Sequence, residues 1–242
     1  TAGGKECRLG GIAKGSGMIH PNMATMLVFV TTDAAITPKM LQMALSKDVC
    51  DSFNMISIDG DTSTNDMVSV LANGMAENDM IESEGEAFDE FCEALRAVTV
   101  FLSRSIAKDG EGASKLLECH VCGAKDKENA RKVAKSVICS SLFKAAMFGA
   151  DANWGRILCA IGYSGAETDI GKISVWLSSK AGRIFVCSGG SGVDFDEDEA
   201  KKVLSEDEII IVISLGDGSG GAVGWGCDLT YDYVKINGDY RT

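Results

Sequence analysis

The sequence predicts a layered α/β fold with mixed sheets. Short apolar, β-branched segments alternate along the chain with segments whose apolar residues recur at helical spacing. Closely spaced strand-like segments follow in the last third of the chain, a pattern typical of antiparallel pairing. The chain has 242 residues, of which 45% are hydrophobic and 24% are charged, so it is long enough to bury a substantial core.

The first half of the chain is predicted to alternate strands with two helices. Thr37 and Pro38 are the residue types that cap and open the first helix. Gly110 ends a long segment whose apolar residues lie on one helical face. In chain order, the predicted elements are a strand in 5–19, a strand in 25–34, a helix in 36–53, a polar loop and strand in 57–74, and a helix in 84–110.

The second half is predicted to begin with a strand and two helices and to end in strands. The predicted elements are a strand in 116–124, one helix in 126–149, a helix in 152–165, strands in 172–179 and 183–190, a helix in 196–206 and a strand in 209–218. The glycine-rich stretch that follows lacks the Gly-Lys-Ser/Thr ending of a phosphate-binding loop. We therefore expect a hairpin turn there, since glycine is the default turn residue.

Charge and cysteine content exclude several classes of protein. The net charge of −12 argues against a nucleic-acid partner, because binding phosphates requires a basic face. No apolar run approaches the ~18 residues of a membrane-spanning helix, and the first residues do not form a secretory signal. Nine scattered cysteines indicate reduced thiols, so we expect a cytoplasmic protein. The first residue is not Met, and we expect the chain to begin within a longer protein.

One pair of cysteines raises the question of a metal. Cys119 and Cys122 form a lone C-x-x-C around His120. A structural zinc site needs a second pair of ligands at suitable spacing, and the sequence offers none. We therefore expect no metal and read the segment as a strand.

Two polar segments have an ordinary and a functional interpretation. The stretch "SIDGDTSTND" is rich in acids and hydroxyls but lacks the ligand spacing of a calcium loop. Its side chains are expected to cap backbone groups in a tight loop, or to line a pocket. Glu111 lies between two glycines after a predicted helix. It is either an exposed turn residue or a carboxylate held against a cationic substrate.

Thr25 is the candidate nucleophile. It follows small Ala24, and the flexible Gly15-Ser16-Gly17 lies shortly before it. An N-terminal threonine can use its own α-amine, with a reference pKa near ~8, as the base for its hydroxyl. That chemistry requires the chain first to cut its own Ala24–Thr25 bond. The ordinary alternative is a threonine at the start of a strand.

Five separated motifs together resemble the ornithine acetyltransferase family, the bifunctional glutamate N-acetyltransferases of arginine biosynthesis. The motifs are "KGSGMIHPNMATML", "DGDTSTND", "KDGEGASK", "NWGRI" and "WGCDLTYDYVKINGDYRT". They occur in the order and approximate spacing of the family and cover essentially the whole chain. The resemblance implies a layered αββα-like sandwich of the N-terminal-nucleophile type.

The resemblance also implies a reaction and a division of the chain. Family members cut themselves at the bond that corresponds to Ala24–Thr25, so residues 1–24 would end an upstream segment and 25–242 would form the downstream segment. Thr25 then carries an acetyl group from N-acetylornithine to glutamate and releases ornithine. No cofactor is implied, although some members also accept acetyl-CoA as donor. The rival interpretation is an amidase or peptidase that passes the acyl group to water.

By the same resemblance, the substrates are bound by Lys14, Thr25, Glu111, Asn237 and Thr242. The donors of the family's oxyanion hole lie in the upstream segment, outside this chain. The expected assembly is a heterotetramer of two upstream and two downstream chains.

Overall fold

The computed structural model describes residues 1, 3–21 and 25–239. The strands are β1 (Leu9–Lys14), β2 (Leu27–Thr32), β3 (Ile56–Ser57), β4 (Met67–Ala72), β5 (Leu116–Ala124), β6 (Ser174–Ser179), β7 (Gly182–Ser188), β8 (Ser191–Gly192), β9 (Glu208–Ser214) and β10 (Gly220–Cys227). The α-helices are α1 (Pro38–Asp48), α2 (Glu86–Lys108), α3 (Lys127–Cys139), α4 (Ser141–Phe148), α5 (Trp154–Gly162), α6 (Glu197–Leu204) and α7 (Tyr231–Asp239).

The smaller sheet has three strands in the order β1-β2-β4. β1 pairs with β2 antiparallel, and β2 pairs with β4 parallel. One face of β2 is buried through Val28, Val30 and Thr32, while Leu27 and Phe29 on its other face are partly exposed. Helix α2 packs close to this sheet, since a Cβ at Gly11 would lie only 2.9 Å from Leu102 Cδ1.

The larger sheet has seven strands in the order β3-β10-β5-β9-β6-β7-β8. Its centre combines a parallel pair, β5 with β9, and an antiparallel pair, β5 with β10. Helix α3 covers one face, where Gly224 and Gly226 let the Ile138 side chain approach the backbone. Helix α2 contacts β10 and β5 as well as β1, so it joins the two sheets. The predicted α/β class with mixed sheets is confirmed.

Side-chain caps begin most of the helices, as the sequence indicates for α1. Thr37 Oγ1 accepts a hydrogen bond from Met40 N at 3.4 Å, and Pro38 is the first helical residue. Asp126 and Asp196 cap α3 and α6 in the same way. Each cap satisfies an amide that has no partner within its helix.

The single helix predicted for 126–149 is wrong, because the chain bends at Ser140. Ser140 has an extended backbone (φ −68°, ψ 105°), and its hydroxyl accepts a hydrogen bond from Phe143 N. It therefore ends α3 and caps α4 at the same position. A serine before an apolar run is a recognisable cap signal, so this break does have a local signal in the sequence.

The hairpin predicted for the glycine-rich stretch is also wrong. β9 and β10 do not pair with each other, because β5 lies between them. The connection passes over the end of β5, where the amides of Asp217 and Gly218 donate to the Gly123 carbonyl at 2.7 and 3.0 Å. No helix follows the stretch directly, so it is not a phosphate-binding loop either.

Helix α7 is the main element that the sequence did not predict, since the C-terminal segment is rich in aromatic and β-branched residues. None of its described side chains is fully buried. Among the described helices, none is both long and apolar enough to cross a membrane.

Candidate active site

Thr25 lies directly before β2 and is half-buried. Its hydroxyl oxygen is shielded from solvent and has no hydrogen-bond partner among the residues that the structure describes. Buried hydroxyls are normally hydrogen-bonded, so an unpaired one is unusual. The Ala24 side of the predicted cleavage site and the predicted substrate residue Thr242 lie outside the described residues.

The loop after β1 passes beside Thr25. Lys14, the last residue of β1, is paired in register with Leu27 and is exposed. A Cβ on Gly15 would lie 3.7 Å from Met26 Cα, and the φ of Gly15 is 159°. The lysine and the glycine loop therefore both lie against the start of β2.

Asp59 holds the next part of this loop in place. Its carboxylate accepts the amide of Met18 at 2.7 Å and that of Ile19 at 3.1 Å. Met18 has a left-handed backbone conformation with φ 54°, which is costly for a residue with a side chain. The Tyr233 hydroxyl also donates to Asp59, at 3.4 Å. Burial and the nearby Asp59 carboxylate raise the pKa of Tyr233 to about 12, so the hydroxyl keeps its proton.

Glu111 contacts both the glycine loop and α7. Its amide donates to the Ser16 carbonyl at 2.8 Å. Its carboxylate accepts a hydrogen bond from Asn237 Nδ2 at 3.0 Å. A Cβ on Gly17 would lie 2.5 Å from Glu111 Cδ, so only glycine allows this approach. Glu111 is half-buried, with its charge beside the loop that reaches Thr25.

Asp66 contacts the backbone next to Thr25. Its Oδ1 accepts a hydrogen bond from Met26 N, while the buried Oδ2 has no partner among the described residues. Burial raises the pKa of Asp66, although the hydrogen bond from Met26 and the charge of Lys135 oppose the shift. The carboxyl also borders an apolar cavity of about 20 Å³ that Pro21 and Phe53 help to line.

Two further titratable groups lie behind the Thr25 loop. The Lys135 ammonium donates to the carbonyls of Asn54 and Ile56, both at 2.7 Å, and burial lowers its pKa to about 8. His20 Nδ1 lies 3.1 Å from Ser57 Oγ and 3.3 Å from Cys139 Sγ. Burial, and then the charge of Lys135, lower the pKa of His20 to about 4, so its ring is uncharged at neutral pH.

An open pocket of about 410 Å³ has Pro21, His20, Lys135 and Arg131 among its lining residues. Arg131 is already bound to Asp51 at 2.6 Å, and Lys135 to its two carbonyls. This pocket therefore has less free positive charge than its residue types suggest.

The C-x-x-C pair does not form part of this site. Cys119 is buried and Cys122 is exposed, because residues three positions apart in a strand point to opposite faces. Within the described ranges, no group of three or more histidine, cysteine or acidic residues could hold a metal ion.

The structure brings together four of the five residues predicted to bind substrate, through the glycine loop that links them: Lys14, Thr25, Glu111 and Asn237. It adds Asp59, Asp66 and Tyr233, which the sequence did not single out. The only sequence signal for the two aspartates is the acidic loop "SIDGDTSTND", for which capping was expected. Both do cap backbone amides: Asp59 accepts the amide of Asp61 in its own loop as well as those of Met18 and Ile19, whereas Asp66 accepts that of Met26.

Comparison with known proteins gives one consistent family. Residues 1–242 match the ArgJ family. The arginine biosynthesis bifunctional protein ArgJ 1 of Clostridium acetobutylicum is 55% identical over 238 residues, covering 98% of this chain and 58% of its own. The ArgJ protein of Thermotoga neapolitana is 52% identical over 242 residues, covering 100% of this chain and 61% of its own. The chain thus spans about three-fifths of the length of these relatives.

A solved structure supports the same family assignment. The crystal structure of the arginine biosynthesis bifunctional protein ArgJ from Bacillus halodurans superimposes with a TM-score of 0.83 at 47% identity, covering 88% of this chain and 98% of that one. The resemblance noted in the sequence motifs is therefore confirmed. On its sequence and its fold, the chain belongs to the ArgJ family.

Proposed function

We propose that this chain carries the nucleophile of an enzyme that moves an acetyl group from N-acetylornithine to glutamate. The protein first cuts itself at Ala24–Thr25, and Thr25 then holds the acetyl group between the two half-reactions. The observation that carries the proposal is the Thr25 hydroxyl, which is buried and unpaired among the described residues at the start of β2. Its position beside Lys14 and the Glu111 loop supports the same function.

After the cut, Thr25 has both of the groups that acyl transfer needs. Its α-amine takes the proton from its own Oγ, which attacks the acetyl carbonyl of N-acetylornithine. Ornithine leaves with the proton on its new amine. Glutamate then attacks the acetyl-threonine ester and leaves as N-acetylglutamate. One site serves both halves, so we expect ping-pong kinetics.

The neighbouring charges match the substrates. Both amino acids carry an α-carboxylate, which the Lys14 ammonium can pair with. Ornithine alone carries a side-chain ammonium, which Glu111 can accept while Asn237 holds the same carboxylate in place. Thr242 is proposed to contribute at the end of the chain. No cofactor is needed for this chemistry.

The rest of the longer protein is proposed to complete the site. Its upstream segment would supply the oxyanion donors, which typically contribute ~10²–10³ in rate. One face of the small sheet offers it a contact surface, because the following apolar side chains are exposed there: Ile12, Leu27, Phe29, Met67 and Leu71. We propose a cytoplasmic heterotetramer of two upstream and two downstream chains.

Intact-mass spectrometry of the full-length protein, with and without N-acetylornithine, tests the proposal. We expect two fragments split at Ala24–Thr25, and an acetyl-sized mass gain on the fragment that begins with Thr25. Incubation with acetyl-CoA instead tests that compound as a second donor. Adding glutamate should remove the acetyl group and yield N-acetylglutamate, whereas an amidase would release acetate at the same rate with or without glutamate.

Substitutions of Thr25 complete the test. Thr25→Ala should abolish both the cut and the acetyl adduct, since it removes the hydroxyl, and Thr25→Ser should retain part of both. Thr168→Ala removes a threonine hydroxyl from the loop between α5 and β6 and should behave as wild type. Cleavage at the same bond in Thr25→Ala would contradict the proposed mechanism.

A further inference from the structure

The cut at Ala24–Thr25 needs a base other than the one that serves acetyl transfer. Once Thr25 is a chain terminus, its α-amine can accept the proton of its hydroxyl. Before the cut, the same nitrogen belongs to an amide and has no basic lone pair to offer. A neutral threonine hydroxyl is a weak nucleophile. Another group must therefore take its proton during self-cleavage.

The titratable side chains around Thr25 differ in whether they can act as that base. His20 Nδ1 is occupied by Ser57 and Cys139. Lys135 donates to two carbonyls, and with a pKa of about 8 it is a cation at neutral pH, so it has no lone pair to accept a proton. Lys14 is an exposed ammonium. None of these three contributes to the buried polar atoms that lack a partner among the described residues.

Asp66 differs from them in all of these respects. One carboxylate oxygen is fixed by the amide of Met26, which is bonded to the carbonyl carbon of Thr25. The other oxygen is buried without a partner among the described residues, and so is the Thr25 hydroxyl. Two unpaired buried polar atoms on side chains joined in this way are rare in a folded protein. The two atoms are not hydrogen-bonded to each other in this structure, but a hydroxyl that can donate and a carboxylate oxygen that can accept are chemically complementary.

We propose that the Asp66 carboxylate takes the proton from the Thr25 hydroxyl during self-cleavage. The Oγ–H bond breaks, and the oxygen electron pair forms a bond to the carbonyl carbon of Ala24. The C–N bond then breaks, its electron pair stays on the Thr25 nitrogen, and that nitrogen receives the proton from Asp66. The ester that joins Ala24 to Thr25 Oγ is hydrolysed by water, which leaves a free carboxylate and a free α-amine.

The surroundings of Asp66 suit this role. The apolar cavity beside it and the shielding of its Oδ2 leave the carboxylate poorly solvated, which strengthens it as a base. Burial raises the pKa of Asp66 in the same direction. The nearby Lys135 ammonium, fixed by the carbonyls of Asn54 and Ile56, keeps the carboxylate from being neutralised outright. Hydrogen bonds at a reacting group often tighten only as reaction begins.

The test follows self-cleavage of the full-length precursor from the moment it is refolded or synthesised. Asp66→Asn keeps the size of the side chain and an oxygen to accept the Met26 amide, but it cannot take a proton. We expect it to slow the cut by roughly 10²-fold or more, the usual contribution of a general base. Asp61→Asn makes the same change at an exposed position of the same loop and should cut at the wild-type rate.

A purely structural role for Asp66 predicts different results. The inference is overturned if Asp66→Asn cuts within about threefold of wild type. It is also overturned if Asp66→Asn melts clearly below the uncut Thr25→Ala precursor, since the variant keeps an oxygen to accept the Met26 amide and changes only an oxygen that has no partner among the described residues. The inference rests on the proposed function, and the two fail separately. An uncut wild-type precursor contradicts the proposed function, whereas a normally cut Asp66→Asn contradicts only the role of Asp66.

Discussion

The absence of a side chain at Gly17 controls the position of Glu111. A Cβ there would lie 2.5 Å from Glu111 Cδ, closer than real contacts allow, so an alanine must push the carboxylate away. Glu111 is proposed to hold the ornithine ammonium, and hydrogen bonds to charged groups contribute ~1.5–3 kcal/mol. Gly17→Ala should therefore lower kcat/KM for N-acetylornithine by about 10- to 100-fold.

Measuring self-cleavage of the Gly17→Ala precursor distinguishes a loss of substrate use from misfolding. The Glu111 carboxylate takes no part in the proposed cut, so Gly17→Ala precursor should still be cut at Ala24–Thr25. Gly10→Ala is a matched control on β1, because nothing lies within 4 Å of its added Cβ, and it should retain wild-type kcat/KM. Equal activity of the two alanine variants would show that the position of Glu111 does not matter for substrate use.

At the scale of elements, a polar cluster joins α2 to the centre of the large sheet. Arg104 of α2 donates to Glu118 of β5 at 2.7 Å and to Glu208 of β9 at 3.1 Å. His120 Nε2 lies 2.6 Å from the other oxygen of Glu118. Burial alone would raise the pKa of Glu118, but the hydrogen bonds from His120 and Arg104 outweigh it and hold the pKa at about 2.

This cluster predicts how stability changes in acid. Since the folded pKa of Glu118 is below its ordinary value, its contribution is complete above about pH 4.5 and is lost as pH falls towards 2. Glu118→Gln should lower the free energy of unfolding by about 1–3 kcal/mol at pH 7, as measured by urea denaturation. The difference from wild type should shrink as the pH falls below 4.5.

An exposed ion pair provides the control for Glu118. Glu167 is paired with Lys125 at 2.5 Å, but its side chain is 76% exposed. Water screens such a pair, so Glu167→Gln should leave the stability profile almost unchanged. A Glu118→Gln protein as stable as wild type at pH 7 would contradict the assignment of the cluster as a link between α2 and the sheet.

Elements formed by local signals were predictable, whereas those that depend on distant contacts were not. Thr37 and Pro38 open α1 where the sequence indicates, because a cap is made within one turn. The insertion of β5 between β9 and β10 joins residues about 100 positions apart, and no local pattern encodes it. Asp66 was not identified because its partner Met26 is 40 residues away.

On the scale of the whole molecule, the proposed cut divides a sheet rather than a linker. β1 lies before Thr25 and pairs antiparallel with β2 along its full six residues, from Leu9 opposite Thr32 to Lys14 opposite Leu27. Asp59 binds the amides of Met18 and Ile19 across the same division. The Leu102 side chain of α2 packs against Gly11. These contacts do not require the peptide bond at Ala24–Thr25.

The two fragments should therefore stay together after self-cleavage. We expect them to elute as one species in size-exclusion chromatography, and to separate only in denaturant. High salt should not release them, because backbone hydrogen bonds and apolar packing are barely screened, unlike exposed ion pairs. Separate elution in native buffer would mean that the β1–β2 pairing is too weak to hold the cut protein. Since Lys14 and Thr25 would then part, such a protein could not keep both at one site.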